Sequence, residues 1–146
     1  MELLLASQDT IRNNMKHFPP LDETGFRKCQ INAIQNLDNS FANNRPKALV
    51  QMATGAGKTF TAITAAYRLL KYGKMNRILF LVDTKSLGEQ AEREFLAYTP
   101  NDDPRSFSQL YGVRRLKSSY IPSDVQIACQ SLSSILFHKM DRTCWG

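Results

Sequence analysis

The sequence predicts an α/β fold in which helices cover a parallel β-sheet. Two short and almost entirely apolar runs, Ala48 to Met52 and Arg77 to Val82, are typical of strands buried on both faces of a sheet. Each run is followed by a stretch of helical periodicity, and a further apolar run, Val125 to Cys129, comes later. This alternation of strands and helices is typical of parallel sheets with crossover helices.

Length and composition indicate a globular protein. The chain has 146 residues, of which 42% are hydrophobic and 22% charged, enough for one domain with a core. The net charge of +6 permits a polyanionic partner without requiring one. Three widely separated cysteines show no paired metal spacing and suggest a reducing compartment. No signal peptide or membrane-spanning run is evident, so we expect a cytoplasmic protein with no membrane partner.

The first part of the chain reads as a helix, a linker and a second helix. Glu2 to Met15 favours a short helix, and the prolines of the following HFPPLDETG segment block its continuation. From Phe26, apolar residues recur at helical spacing until about Asn43 to Pro46. We therefore divide the chain into an N-terminal helix and linker, residues 1–23, and a main domain, residues 24–146.

The remaining elements follow in order. The strand Ala48 to Met52 leads through a glycine loop into a helix that Gly73 is expected to stop. After the strand Arg77 to Val82, Ser86 and Glu89 have capping-box spacing and predict a helix start. The later predicted elements are a third strand in RSFSQLYG, a fourth at Val125 to Cys129, and a closing helix in QSLSSILFHKM.

The glycine loop, QMATGAGKT, predicts a phosphate site. A strand that feeds a glycine-rich turn and then a helix directs backbone N–H groups and the positive end of the helix dipole at an anion. Gly55 and Gly57 permit the turn, Lys58 is placed to reach the β and γ phosphates, and the Thr59 hydroxyl is suited to bind Mg²⁺. The alternative is a chance glycine turn with an ordinary surface lysine. Met52 occupies the first glycine position of the usual pattern.

The string ATGAGKT, together with FLVD and SLGEQA, resembles the superfamily 2 helicases and translocases, and most closely the R (motor) subunit of type I restriction enzymes. The resemblance covers residues 24–137. It implies the N-terminal part of a RecA-like P-loop lobe, incomplete at its C-terminal side, that binds ATP and Mg²⁺. The implied nucleotide and metal contacts are Thr54, Gly55, Ala56, Gly57, Lys58 and Thr59.

The resemblance also implies an adenine contact and DNA contacts. Arg27 and Gln30 match the adenine-reading position ahead of the loop, and an amide can both donate to and accept from the adenine edge. A solvated glutamine on an amphipathic helix is the alternative. The implied contacts to the DNA backbone are Thr84, Lys85, Ser86, Gln130 and Ser131.

Simpler explanations remain open for the DNA contacts. Helix capping accounts for Ser86 without DNA, and a polar helix cap after a buried strand accounts for Gln130 and Ser131. Thr84 stands where the family usually has arginine, and Ala128 and Cys129 stand where it has a nearby threonine. The basic residues of YGVRRLKSS favour a solvated face over a DNA contact.

A complete motor needs parts that are not expected here. The family carries the catalytic carboxylates in an Asp-Glu-x-His run, whereas the only adjacent acids here are Asp22-Glu23 and Asp102-Asp103. A second lobe and an N-terminal nuclease domain do not fit into this length. We therefore expect no catalytic residue in this chain and no turnover by it alone.

Three functions are compatible with the sequence. The first is the ATP-binding part of a restriction-type motor on double-stranded DNA, with modification and specificity subunits as partners. The second is a non-catalytic remnant that binds DNA or a partner protein and has a vestigial loop. The third is a small phosphotransferase, which leaves Gln30 and SLGEQA unexplained.

Overall fold

The computed structural model describes residues 10–116 and 120–132, which belong to two compact units that divide between Asn76 and Arg77. The first unit is helical and the second contains the sheet. None of the helices in the described ranges is long and apolar enough to cross a membrane.

The described residues of the first unit form three helices: α1, Ile11–Asn14; α2, Lys28–Ala42; and α3, Lys58–Lys71. Helices α2 and α3 pack together through apolar side chains that recur at helical spacing. The buried hydrophobic residues of this unit are Ile34, Ile63, Ala66, Tyr67 and Leu70. The helix predicted from Phe26 is therefore confirmed. Of the predicted helix from Glu2, only α1 falls within the described residues.

A buried arginine ties the predicted linker to both long helices. Arg68 of α3 donates from Nε and Nη2 to the Asp38 carboxylate, at 3.1 and 2.8 Å, and from Nη2 to the Pro19 carbonyl at 2.5 Å. Its guanidinium lies 5.5 Å from the ring centroids of Phe18 and Tyr72. We call these five residues the Arg68 clamp. Because of this clamp, the HFPP segment packs on the helices.

The described residues of the second unit form a three-stranded parallel sheet. Its elements are β1, Ile78–Val82; α4, Lys85–Ala97; α5, Phe107–Leu110; β2, Val113–Arg115; and β3, Ile127–Ser131. The strand order is β1-β3-β2, and both pairs are parallel. Phe80 and Arg115 both pair with Cys129, which places all three on one face of the sheet. This parallel arrangement confirms the predicted fold class.

Aromatic side chains form the core beside α4. Phe95 packs edge-on against Phe80 and Phe107, with ring centroids 5.3 Å apart in each pair. Cys129 is fully buried, and this burial raises the pKa of its thiol to about 12. A second apolar cluster joins Leu116, Val125 and Ala128. Strand β3 is therefore buried on both faces, whereas Leu79 and Leu81 of β1 are exposed.

The strand predicted at Ala48 to Met52 is wrong. These residues have no strand structure, and Leu49 is 95% exposed. An extended segment becomes a strand only when a neighbour accepts and donates its backbone hydrogen bonds, and no described strand pairs with it. The apolar composition of this segment favours burial, but Leu49 and Val50 are exposed in the structure.

The strand predicted in RSFSQLYG is also wrong, since residues 107–110 form the helical turn α5. The Gln109 side chain accepts from the Ser106 N–H at 2.9 Å, which closes the start of this turn. Phe107 and Tyr111, four residues apart as in a helical turn, pack as a tilted pair with ring centroids 5.3 Å apart. The fourth predicted strand is confirmed as β3. The closing helix beyond Leu132 lies outside the described residues.

Two helix boundaries have different causes from those predicted. Helix α3 does end near Gly73, but a Cβ on Gly73 would lie 2.6 Å from the Leu69 carbonyl oxygen, so close approach requires the glycine there. Helix α4 begins at Lys85, and Thr84 is its N-cap, with its hydroxyl accepting from the Leu87 N–H at 3.3 Å. The prediction that Ser86 opens this helix is wrong.

Replacing Thr84 by alanine is expected to lower the unfolding free energy of the second unit by about 1 kcal/mol, because the Leu87 N–H loses its acceptor. Ser86→Ala removes a hydroxyl from an exposed position in the same turn and should change stability by less than about 0.5 kcal/mol. Urea denaturation followed by circular dichroism compares the two variants. Equal losses would contradict the assignment of Thr84 as the cap.

Candidate functional site

The glycine loop leads from residues 48–52 into α3 in the first unit. Gly55 and Gly57 have φ angles of +77° and +82°, in the left-handed region that glycine occupies without strain. The Ala56 N–H donates to the Ala53 carbonyl at 3.2 Å, which closes a tight turn inside the loop. Gly57 is then the N-cap of α3. The loop therefore delivers the chain directly into the positive end of a 14-residue helix.

Several donors at this helix start are unused. The backbone N–H groups of Gly57, Lys58 and Thr59 have no acceptor within the part of the chain that the structure describes. Lys58 is exposed and forms no ion pair there. Such a group of amides beside a free ammonium is suited to bind an anion, and phosphate in particular. Thr59 is half-buried in the same turn, and Thr54 and Gly55 are exposed.

Arg27 and Gln30, from the start of α2, contact the loop directly. Arg27 donates from Nη1 to the Gly55 carbonyl at 2.8 Å. Gln30 donates from Nε2 to the Ala56 carbonyl at 3.1 Å, while its Oε1 accepts from the Arg27 N–H at 2.9 Å. The structure thus brings together the residues predicted for phosphate and those predicted for adenine. Sequence reasoning missed the two bonds to loop carbonyls, for which the sequence carries no signal.

The residues predicted to contact DNA lie at one edge of the sheet in the second unit. Val82 pairs with Ser131, so the carboxyl ends of β1 and β3 are side by side. Thr84, Lys85 and Ser86 follow β1 and are exposed, whereas Ser131 is buried and Gln130 is half-buried. The hydroxyl of Thr84 is already used as the cap of α4. The exposed lysine at this edge is the one positive side chain of the predicted set.

The basic residues near Tyr111 are mostly engaged within the unit. Arg115 forms an ion pair with Glu89, and its N–H donates to the Glu92 carboxylate at 3.1 Å. The hydrogen bond and charge of Arg115 lower the pKa of Glu89. Arg114 lies 3.9 Å from Asp124. This pairing agrees with a structural role for Arg115, while Lys117 lies outside the described residues.

Within the described ranges, no cluster of three or more His, Cys, Asp or Glu side chains is arranged to hold a metal ion. A magnesium ion that entered with nucleotide phosphates would not need such a cluster, because phosphate oxygens and water supply most of its ligands. Thr59, the residue that the sequence predicts as a ligand, is half-buried in the first turn of α3.

Comparison with known proteins decides the family. The family described as type III restriction enzyme, res subunit, matches residues 23–139. The chain belongs to this res-subunit family. The match begins ahead of Arg27 and Gln30 and includes the glycine loop and the whole described sheet.

Curated relatives of this res-subunit chain include type I restriction enzymes. The EcoKI endonuclease subunit of Escherichia coli K12 is 33% identical over 118 residues, which are 81% of this chain and 10% of that protein. The EcoAI endonuclease subunit of Escherichia coli is 39% identical over 66 residues, 45% of this chain and 8% of the relative. The resemblance to restriction motor subunits drawn from the sequence is therefore confirmed.

A relative outside restriction enzymes also matches the res-subunit chain. The UvrABC system protein B of Leptospira biflexa is 31% identical over 110 residues, 75% of this chain and 15% of the relative. The chain thus spans only 8–15% of the length of these curated relatives. No solved structure matches the chain.

Proposed function

We propose that this chain is the ATP-binding part of the helicase-like motor of a restriction enzyme. The observation that carries the proposal is the group of unused donors at the start of α3. The backbone N–H groups of residues 57–59 and the Lys58 ammonium lack acceptors among the described residues, in a turn where Gly55 and Gly57 are left-handed. Membership of the res-subunit family supports a nucleotide as the anion.

The loop would hold the nucleotide by its phosphates. The amides of residues 57–59 and the helix dipole would bind phosphate oxygens, and Lys58 would contact the β and γ phosphates. The Thr59 hydroxyl would ligate the accompanying Mg²⁺, which supplies charge neutralisation to the phosphates. The 146 residues contain no Asp-Glu-x-His run, so we propose nucleotide binding without efficient hydrolysis.

The sheet of the second unit would contact double-stranded DNA. In the exposed turn of Thr84, Lys85 and Ser86, the Ser86 hydroxyl, the lysine cation and the start of α4 suit backbone phosphates. The Thr84 hydroxyl accepts from the Leu87 N–H and would contact a phosphate only as a donor. Gln130 and Ser131 end the neighbouring strand at the same edge. Modification and specificity subunits would be the protein partners, as expected for a subunit related to type I restriction enzymes.

Lys58→Ala tests the nucleotide site. Wild-type protein is expected to melt several degrees higher with Mg²⁺–ATP, and Lys58→Ala should lose most of this rise because a charge-assisted contact contributes about 1.5–3 kcal/mol. Lys16→Ala removes an equally exposed lysine of the same unit and should retain the rise. Thermal unfolding with and without Mg²⁺–ATP measures this difference. A cooperative wild-type transition that ATP leaves unchanged would refute ATP binding.

A second function, docking onto a partner protein, is favoured by exposed apolar residues. Leu79 and Leu81 of β1 are 51% and 48% exposed, and β1 is one of the two edge strands of the described sheet. Unpaired edges with apolar side chains are frequent sites of protein association. In this case the loop would be vestigial, and binding to the partner would be unaffected by ATP or by Lys58→Ala.

A further inference from the structure

The two edges of the described sheet differ in their backbone groups. Successive residues of a strand point their N–H and C=O groups to opposite sides, towards one neighbouring strand or the other. At the β2 edge, the outward N–H of Arg115 donates to the Glu92 carboxylate of α4 at 3.1 Å. At the β1 edge, the Ile78 N–H points towards β3, so those of Leu79 and Leu81 point outward, where no described strand pairs with them. Strand β1 therefore carries the open edge.

The residues that flank β1 carry opposite charges. Arg77 directly precedes the strand and Asp83 directly follows it, and both are exposed. Neither side chain forms an ion pair within the part of the chain that the structure describes. Between them stand five apolar residues, ILFLV. A segment with a cation at one end and an anion at the other is complementary to a second copy of itself that runs in the opposite direction.

We propose that the open edge of β1 binds a second copy of this chain, with the two β1 strands antiparallel and the twofold axis at Phe80. In this register Arg77 of each copy faces Asp83 of the other. An interface in which one patch meets itself is the commonest kind in soluble oligomers. The inference rests on the second proposed function, because it names the occupant of that docking edge, and it is independent of the nucleotide site.

The backbone of β1 permits this register. In an antiparallel pair, opposed residues that exchange hydrogen bonds must both point their backbone groups at the partner strand. Leu79 points outward and would face Leu81 of the other copy, which also points outward. Phe80 points its backbone groups towards β3 and takes the position on the axis that needs no hydrogen bond. A shift by one residue would oppose outward groups to inward ones, and a shift by two would separate the charged flanks from their partners.

The exposed apolar side chains of β1 would be covered in such a pair. Leu79 and Leu81 are 51% and 48% exposed and lie on the face of the sheet opposite to Phe80. Two leucines from each copy would form one patch of four on that face, and cross-strand pairs of this kind stabilise sheets. Because only a short strand of each copy takes part, the dimer should be weak and should form in a concentration-dependent way.

Sedimentation velocity of the full chain over a range of concentrations tests the proposed dimer. Wild type is expected to form reversible dimers. Leu81→Lys places a charge in the middle of the paired edge and removes buried leucine surface from both copies, so it should weaken association about tenfold or more. Leu96→Lys changes a similarly exposed leucine of α4 and should leave association unchanged. Circular dichroism establishes that each variant retains its fold.

The charged flanks test the antiparallel register. Arg77→Glu gives a strand with two acidic flanks, and Asp83→Arg gives one with two basic flanks. Each variant alone would oppose like charges and should associate about fivefold more weakly than wild type. When the two variants are mixed, acid would again face base at both ends, and a mixed dimer of wild-type strength should form. Native mass spectrometry resolves the mixed dimer from the dimers of either variant.

The outcomes separate this inference from the proposed functions. If the folded wild type stays monomeric at every concentration, the inference is overturned, while docking onto a different protein and ATP binding both stand. A dimer that Leu81→Lys and the flank variants leave intact would use another surface, which also overturns it. Weakened flank variants whose mixture fails to recover would contradict the register. Lys58→Ala should dimerise as wild type does, and its failure to do so would count against pairing through β1.

Discussion

Arg68→Ala is expected to lower the unfolding free energy of the first unit by about 3 kcal/mol, the lower end of the range for a broken buried ion pair. The substitution leaves the Asp38 carboxylate, whose side chain is 18% exposed, without its partner. It also removes the donor to the Pro19 carbonyl and the cation between Phe18 and Tyr72. Chemical denaturation at pH 7 measures the loss.

The pH dependence of this variant distinguishes the ion pair from packing. Burial raises the pKa of Asp38 above its ordinary 3.8, although the charge and hydrogen bonds of Arg68 lower it. A folded pKa above the unfolded one means that stability falls as pH rises through that folded pKa. Without Arg68 the pKa of Asp38 should rise further, so the deficit should be largest near neutral pH and shrink in acid.

Arg12→Ala is the matched control, because Arg12 is an exposed arginine of the same unit. It should leave both stability and its pH dependence unchanged. Arg68→Lys keeps the charge but loses the guanidinium fork that reaches Asp38 and Pro19 together, so an intermediate loss is expected. A deficit in Arg68→Ala that is the same from pH 4 to pH 7 would show that Asp38 is not the source of the loss.

Gly57→Ala is expected to destabilise the first unit and to abolish stabilisation by ATP. Residues other than glycine adopt the left-handed conformation, here at φ +82°, at a cost of about 1–2 kcal/mol. The new methyl would also overlap Gln30 Nε2 and push the amide from the Ala56 carbonyl. The donors at the start of α3 would then lose their orientation. Thermal unfolding with and without Mg²⁺–ATP measures both effects.

Gly55→Ala separates the two causes. Gly55 has a similar φ of +77°, but a Cβ there would contact nothing within 4 Å, so only backbone strain is expected. Gly57→Ala should therefore be the more damaging of the two. When Gly57→Ala is combined with Gln30→Ala, the overlap is absent. The loss of unfolding free energy in this double variant should therefore be smaller than the sum of the two single losses. If the two glycine substitutions lowered stability equally and the losses in the double variant were additive, the overlap between a Cβ at Gly57 and Gln30 Nε2 would be excluded as a cause.

Sequence periodicity predicted the elements that bury a regularly spaced set of apolar side chains. Helices α2, α3 and α4, together with β1 and β3, follow from apolar spacing, because each buries one face or both against its neighbours. The segment Ala48 to Met52 has the composition of a strand but pairs with no described strand, and composition cannot supply the hydrogen bonds that pairing requires. For α5, a local cap and an aromatic pair prevailed over the strand prediction.

The candidate site could be predicted as a list of residues but not as a set of contacts. Glycines before a lysine and threonine are a local signal, and Gly55, Gly57 and Lys58 follow from it directly. The bonds from Arg27 and Gln30 to loop carbonyls join residues 28 and 26 positions apart, and no local pattern records such pairings. The same is true of Arg68, which looks in the sequence like a routine surface arginine of an amphipathic helix.

The Arg68 clamp also bears on where a shortened form of this protein can begin. The family match starts at residue 23, which would be the natural starting point for trimming by homology. Such a piece would lack Phe18 and Pro19, and with them one acceptor and one aromatic partner of a buried guanidinium. The packing of the first unit therefore begins ahead of the family match, at Phe18 rather than at residue 23. A shortened protein intended to fold should retain the residues from Phe18 onward.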